Sequence, residues 1–178
     1  TKAELDVEGL RINSGEFSVK QMQERYNVDG ITRQAIEESI TNASDRKHWL
    51  IFATGVEHCD NIARMMTDIY DIPCKALHSK LKKDEREAVL KEFTSGKLRA
   101  VVNNNVLTTG FDFPKIDLIV VLRPTNSPGL WVQMLGRGTR IHPDKENCLV
   151  LDFAANTKRI GPINDPVIPK PPSKRKKK

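Results

Sequence analysis

Gln133, Gly136, Arg137 and Arg140 stand at spacings of three, four and seven residues. At 3.6 residues per turn, a helix through them puts all four on one face. Two guanidiniums on that face suit an anionic ligand, because arginine stays charged and its planar fork matches phosphate oxygens. The glycine lets another backbone come close. An isolated GxxR would be an ordinary solvated surface pair. Here the Thr109-Gly110-Phe111-Asp112 loop comes before it, with one apolar run between, so that Leu107 to Arg140 reads as loop, buried strand and site-bearing helix.

The elements that must position these groups show in periodicity and punctuation. His48–Ala53, Pro73–Leu77, Leu98–Val102, Asp117–Leu122 and Cys148–Phe153 are short apolar runs that read as strands. Val56–Tyr70 and Asp84–Phe93 read as helices. Ile62, Met65, Met66 and Ile69 form the apolar side of the first, and Ala88, Val89 and Phe93 that of the second, which Gly96 stops. Ser127 and Pro128 make the cap and first-turn pair of the helix carrying Gln133, and His142-Pro143 ends it. Gly138 is an alternative stop, in which case Arg140 leaves the regular helix. Strand and helix alternate, which predicts an α/β fold with a mainly parallel sheet covered on both faces. Residues 1–46 read as a helical, peripheral lead-in, with Ser18 capping Val19–Tyr26 and Asp29 or Thr32 opening a second helix.

In an open parallel sheet, ligands sit outside the carboxyl ends of the strands. The residues directly after each strand make one polar rim: Thr54 and Gly55; His78, Ser79 and Lys80; Asn103, Asn104 and Asn105, then Thr108 to Asp112; and Arg123. Each alone is ordinary loop chemistry. Together they offer hydroxyls, amides and backbone N–H groups along one edge.

The formal charge of +6 does not describe the folded part. Residues 157–178 hold eight Lys or Arg and one Asp, leaving 21 basic and 22 acidic residues elsewhere. A basic-domain argument for nucleic acid therefore fails, and any such contact must rest on local placement. The tail, rich in proline and ending in Lys174–Lys178, cannot bury a core and is expected to be disordered. Cys59, Cys74 and Cys148 lack a CxxC spacing, so neither a zinc site nor a disulfide framework is expected, and the setting is expected to be reducing and cytoplasmic. No apolar run approaches the roughly 20 residues of a membrane helix. The chain begins at Thr1, which reads as a piece of a longer protein.

The order IFATG, ALHS, VVNNNVLTTGFDFP and QMLGRGTR resembles the second RecA-like domain of superfamily 2 helicases and translocases. With DLIVVLRPT, CLVLDFA-N and LRINSGEFS it is most similar to bacterial RadD-type DNA repair helicases. The resemblance implies a three-layer, P-loop NTPase-like helicase C-terminal domain over residues 47–156. Residues 1–46 would lead in from a first motor domain, and residues 157–178 would form the tail. It implies that Gly110 and Asp112 approach ATP, with Asp112 near the ribose, alongside Gln133. Arg137 and Arg140 would act as catalytic fingers on the γ-phosphate. It also implies that Thr54, His78, Ser79, Asn104, Thr108 and Thr109 touch the phosphates of a DNA strand. ATP and Mg²⁺ would be held mainly by the first domain, the partners being that N-terminal RecA-like domain and DNA, with no membrane.

Three departures stand out. Ser79-Lys80 occupies a place where many relatives have Gly-Asp, and residues 157–178 carry no cysteine where RadD-type proteins continue into a cysteine-rich part. No GxxxxGK[ST] phosphate loop or acidic Mg²⁺ box is present, so half of an ATPase site is missing and the chain alone is expected to be inactive. The alternatives are the translocase part of a restriction enzyme and a non-catalytic binding module. A nicotinamide-binding fold is remote, because no glycine fingerprint comes after the first strand.

Overall fold

The computed structural model describes residues 1–26, 29–106 and 111–166. Its centre is a five-stranded parallel sheet. Outside that sheet lies an antiparallel hairpin that sequence periodicity did not indicate, made of β1 (Ile12–Asn13) and β2 (Glu16–Phe17). Ser14 and Gly15 at its tip both have positive φ, 51° and 86°, the backbone twist a two-residue hairpin turn needs. The helices α1 (Val19–Tyr26) and α2 (Asp29–Asn42) come next. Ser18 caps α1 as expected, its hydroxyl accepting the Gln21 amide at 3.5 Å.

The sheet strands are β3 (Trp49–Phe52), β4 (Cys74–Leu77), β5 (Ala100–Asn103), β6 (Leu118–Val121) and β7 (Leu149–Asp152). They lie in the order β4-β5-β3-β6-β7, all parallel. The three inner strands are buried along their whole length, and the two edge strands are not. This is why the inner three read as unbroken apolar runs: helices cover both faces, so neither face needs polar side chains. α3 (Val56–Asp68) joins β3 to β4, α4 (Lys83–Thr94) joins β4 to β5, and α5 (Pro128–Gly136) joins β6 to β7, with α6 (Asn156–Ile160) after the sheet. Gly96 ends α4 in the left-handed region, φ 80°.

Two helix faces are corrected. α3 stops at Asp68, so Ile69 lies outside it and is half exposed. On α4 the buried pair is Val89 and Phe93, while Ala88 faces solvent. The lead-in is also less peripheral than its polar composition suggests. Leu5, Met22, Tyr26, Ala35 and Ile36 are all buried, and the Leu5 amide donates to the Phe153 carbonyl at 2.6 Å. Three-dimensional closure, not local periodicity, brings these scattered apolar residues onto the core.

Candidate functional site

The strand order has a consequence for the ligand edge. From β3 the chain moves out to β4, returns through β5, and then crosses β3 to reach β6 on the other side. The reversal lies between β5, β3 and β6, and a crevice forms at such a point beyond the carboxyl ends of the strands. It is lined by Phe52 at the end of β3, Asn103 and Asn105 at the end of β5, Arg123 just after β6, and Gln133 and Arg137 from α5. The site residues thus come from four separate elements.

α5 starts where expected. The Ser127 hydroxyl accepts the Leu130 amide at 3.2 Å, and Pro128 fills the first turn. The helix ends at Gly136, with Arg137 as its C-terminal cap. Gln133, Gly136 and Arg137 therefore share a face, and Arg140 leaves the helix. The last turn is shut off by packing at Gly138, where an added Cβ would overlap Cys148 Sγ and stand 2.9 Å from Ile119 Cδ1. Gly136, by contrast, faces open space: nothing lies within 4 Å of a Cβ built there.

The two arginines reach the same loop. Arg137 Nη1 donates to the Phe111 carbonyl at 2.7 Å, and Arg140 forms an ion pair with Asp112. Both partners of the ion pair are substantially exposed, a setting in which such pairs contribute about 0–1 kcal/mol and exchange partners readily. Thr108, Thr109 and Gly110 lie outside the described residues.

Arg123 is the most buried cation of the crevice. Its Nη1 pairs with the Asn105 amide oxygen, its Nε has no partner among the described residues, and burial lowers its pKa from the ordinary arginine value. Asn105 itself sits at φ 57°, a left-handed turn leaving β5.

On the other part of the rim the sequence expectation needs correction at Thr54. Its side chain is buried, and the hydroxyl lies 2.9 Å from His58 Nδ1. His58 Nδ1 also receives the Thr54 amide at 3.3 Å, and Nε2 lies 3.0 Å from the Thr32 hydroxyl, which donates to the Tyr26 carbonyl at 2.7 Å. The pattern is consistent with one neutral tautomer, protonated at Nε2. Burial pushes the His58 pKa down to about 4. Thr54 thus turns inward to tie α3 to the lead-in, because its hydroxyl finds a buried acceptor four residues on. Sequence reasoning missed His58; its only local signal was the i, i+4 spacing from Thr54.

His78 is buried too, with Nε2 3.0 Å from Asp60 Oδ1 and Nδ1 unpartnered among the described residues. Asn104 is half buried, its amide donating to the Ala53 carbonyl at 3.1 Å. Ser79 and Lys80 are exposed. The rim thus brings Thr54, His78 and Asn104 to one edge, while offering solvent chiefly Ser79 and its neighbours.

Gly55 completes that corner. An added Cβ there would overlap Gln23 Nε2, so α1 lies directly against the turn between β3 and α3. The three cysteines are free thiols, and burial pushes Cys59 up to about 12 and Cys148 up to about 11. Among the described residues no three His, Cys, Asp or Glu side chains gather as a metal-ligand set, and no helix is long and apolar enough to cross a membrane.

Comparison with known proteins matches residues 32–142 to the helicase conserved C-terminal domain. IRC3 of Saccharomyces cerevisiae is 26% identical over 169 residues, covering 94% of this chain and 24% of its own. The mitochondrial irc3 of Schizosaccharomyces pombe is 35% identical over 150 residues, covering 82% of this chain and 25% of its own. The chain therefore spans about a quarter of the length of these relatives. Among solved structures, domain 2 of the DEAD-box helicase Mss116p bound to an RNA duplex aligns with a TM-score of 0.58 at 20% identity, over 73% of this chain and 52% of that one. The Mycobacterium smegmatis helicase Lhr bound to ssDNA and AMP-PNP aligns with a TM-score of 0.58 at 22% identity, over 74% of this chain and 18% of that one. At these identities the structures speak for the RecA-like fold.

Proposed function

Since the chain belongs to the helicase conserved C-terminal domain family, we propose that it is the second motor domain of an ATP-dependent DNA helicase or translocase. The two relatives are named as ATP-dependent helicases, which supports ATP use by the parent. The observation that carries the reading is the convergence of Arg137 and Arg140 on the Phe111–Asp112 loop beside the crevice. Gly136 leaves that face open to a second body.

In this reading a first motor domain presents ATP and Mg²⁺ to that face. Arg137 and Arg140 bind and orient the γ-phosphate end, and Asp112 releases Arg140 to it. Bound nucleotide supplies a phosphoryl group whose negative charge shifts as it transfers. A preorganised guanidinium facing that charge contributes ~10³–10⁵ in rate in related NTPases. Gln133 and Gly110 complete the nucleotide edge. Ser79, Asn104, Thr108 and Thr109 track a strand through phosphates, contacts that do not depend on base sequence. Thr54 and His78 support that track from beneath. A DNA strand, and a role in DNA repair, rest on the likeness of LRPT, DFA-N and the lead-in to the RadD type.

The test is steady-state ATPase of the full-length parent with saturating single-stranded DNA or RNA. Arg137→Ala should lower turnover by orders of magnitude and largely spare ATP affinity, since the interaction is realised in the transition state. Arg137→Lys should not restore it, because an ammonium lacks the guanidinium fork. Near-normal kcat in both Arg137→Ala and Arg140→Ala would sink the assignment. The 178-residue chain alone should not hydrolyse ATP, having no phosphate loop. Equal stimulation by RNA would overturn the DNA reading.

A further inference from the structure

The hairpin before α1 makes contact with a segment remote in the chain, the one that leads into α5. Glu16 Oε1 accepts the Thr125 hydroxyl at 2.9 Å and the Asn126 amide at 2.5 Å, across more than a hundred residues of chain. Thr125 is fully buried, and its oxygen accepts the Ser127 amide at 2.9 Å. Ser127 caps α5. A relay of acceptors therefore runs from the hairpin carboxylate to the first turn of the helix that carries Gln133 and Arg137. The other side of the same segment is held by the buried Asn156, whose Oδ1 accepts the Thr125 amide at 3.0 Å and whose Nδ2 donates to the Arg123 carbonyl at 3.0 Å. Phe17, next to Glu16, packs under the Arg159 guanidinium, 5.4 Å from its ring centre, and Arg159 in turn bonds the Asn156 side chain at 2.5 Å.

We propose that Glu16 is a positioning residue for α5: through Thr125 and Asn126 its carboxylate fixes where the helix begins and so where Arg137 stands. Three physical arguments carry it. A carboxylate beside the start of a helix interacts favourably with the positive end of its dipole. Hydrogen bonds to a charged acceptor are stronger than neutral ones. The second oxygen, Oε2, is buried with no partner among the described residues, an arrangement that costs stability and is hard to explain as a mere staple. α5 is short, nine residues, so a shift at its first turn is carried to its last. The hairpin then belongs to the motor domain's machinery: it leads into α1, whose Gln23 rests on Gly55, so one N-terminal stretch touches both the Thr54 turn and the arginine helix.

The inference rests on the arginine reading above, and the experiment separates the two. Amide hydrogen exchange is measured on this chain, and steady-state ATPase on the full-length parent, for wild type, Glu16→Ala, Glu16→Gln, Thr125→Val and Arg137→Ala. In Glu16→Ala the amides of Asn126, Ser127, Leu130 and Trp131 should exchange about ten- to a hundredfold faster, through loss of the two charge-assisted hydrogen bonds at Oε1. The kcat should fall about tenfold with KM for ATP nearly constant, as expected for a displaced group that acts in the transition state. Glu16→Gln should recover both only in part, because its amide oxygen accepts the same two bonds without the charge. Thr125→Val, which keeps the buried volume, should reproduce the alanine pattern more weakly. Unchanged α5 exchange would overturn the proposal. So would an unmoved kcat in Glu16→Ala while Arg137→Ala is inactive. If Arg137→Ala also keeps its kcat, the arginine reading fails, and the catalytic role of Glu16 with it.

Discussion

At the scale of single residues, the chain uses polar groups in two ways. Arg140 stays near the surface in an exposed ion pair with Asp112, and Arg137 holds the Phe111 carbonyl beside it. Thr54 and His58 are sealed inside, with both imidazole nitrogens and the hydroxyl engaged. The sealed pair makes folding sensitive to pH. His58 stays neutral in the fold down to about 4, against an ordinary value of 6.5, because burial disfavours its charge. Below 6.5 the unfolded chain takes up a proton that the folded chain refuses. Stability is therefore intact above that pH and is lost as pH falls toward 4, by about 3 kcal/mol in all. Between pH 7.5 and pH 5, urea unfolding should show wild type losing about 2 kcal/mol more than His58→Gln, which cannot be protonated there. Equal losses would mean that His58 is already charged when folded.

At the scale of elements, α5 owes its two ends to different causes. Its start is local, the Ser127 and Pro128 pair, reinforced from a distance by Glu16. Its end depends on contact, with Gly138 pressed against Cys148 and Ile119. The two glycines should therefore respond oppositely. Gly138→Ala must push β6 or Cys148 aside and should destabilise the fold by about 1–3 kcal/mol. Gly136→Ala meets nothing and should leave stability unchanged or raise it by up to about 1 kcal/mol. If the proposed function holds, the same methyl in the full-length parent would stand between the two motor domains, so turnover should fall although the fold is sound. Thermal unfolding together with ATPase separates these cases, and full activity of Gly136→Ala would show that no close contact is made there.

At the scale of the whole molecule, the first 46 residues are part of the core. Leu5 is buried and bonded to the end of β7. Leu5→Ala should cost about 2–5 kcal/mol in urea unfolding, the range for a truncated core leucine, and a loss under about 0.5 kcal/mol would show that the N-terminal stretch is only loosely attached. The opposite end of the chain is a matter of charge. The folded part is close to neutral, and the basic residues gather after Thr157. Removing Lys174–Lys178 should weaken binding to single-stranded DNA mainly at low salt and reduce the salt slope, since such contacts act by releasing counterions. Unchanged low-salt affinity would show the tail to be inert.

Local pattern alone determined the class of fold, the position of each sheet strand to within a residue or two, the Ser127–Pro128 start of α5 and the family likeness of its arginines. These features are written in neighbouring residues: apolar runs where both sheet faces are covered, a hydroxyl and a proline where a helix begins. The hairpin escaped notice because two-residue strands have no period to read. Only the tertiary structure decided that Thr54 faces inward, that His58 joins it to Thr32, that Arg140 leaves the helix and that Glu16 reaches Thr125. A hydroxyl or a carboxylate looks the same in the sequence whether it meets water or a buried partner. Which it meets is settled when the chain closes over distances that no local spacing records, and β3, at the point where the strand order reverses, is where that closure brings the polar rim together.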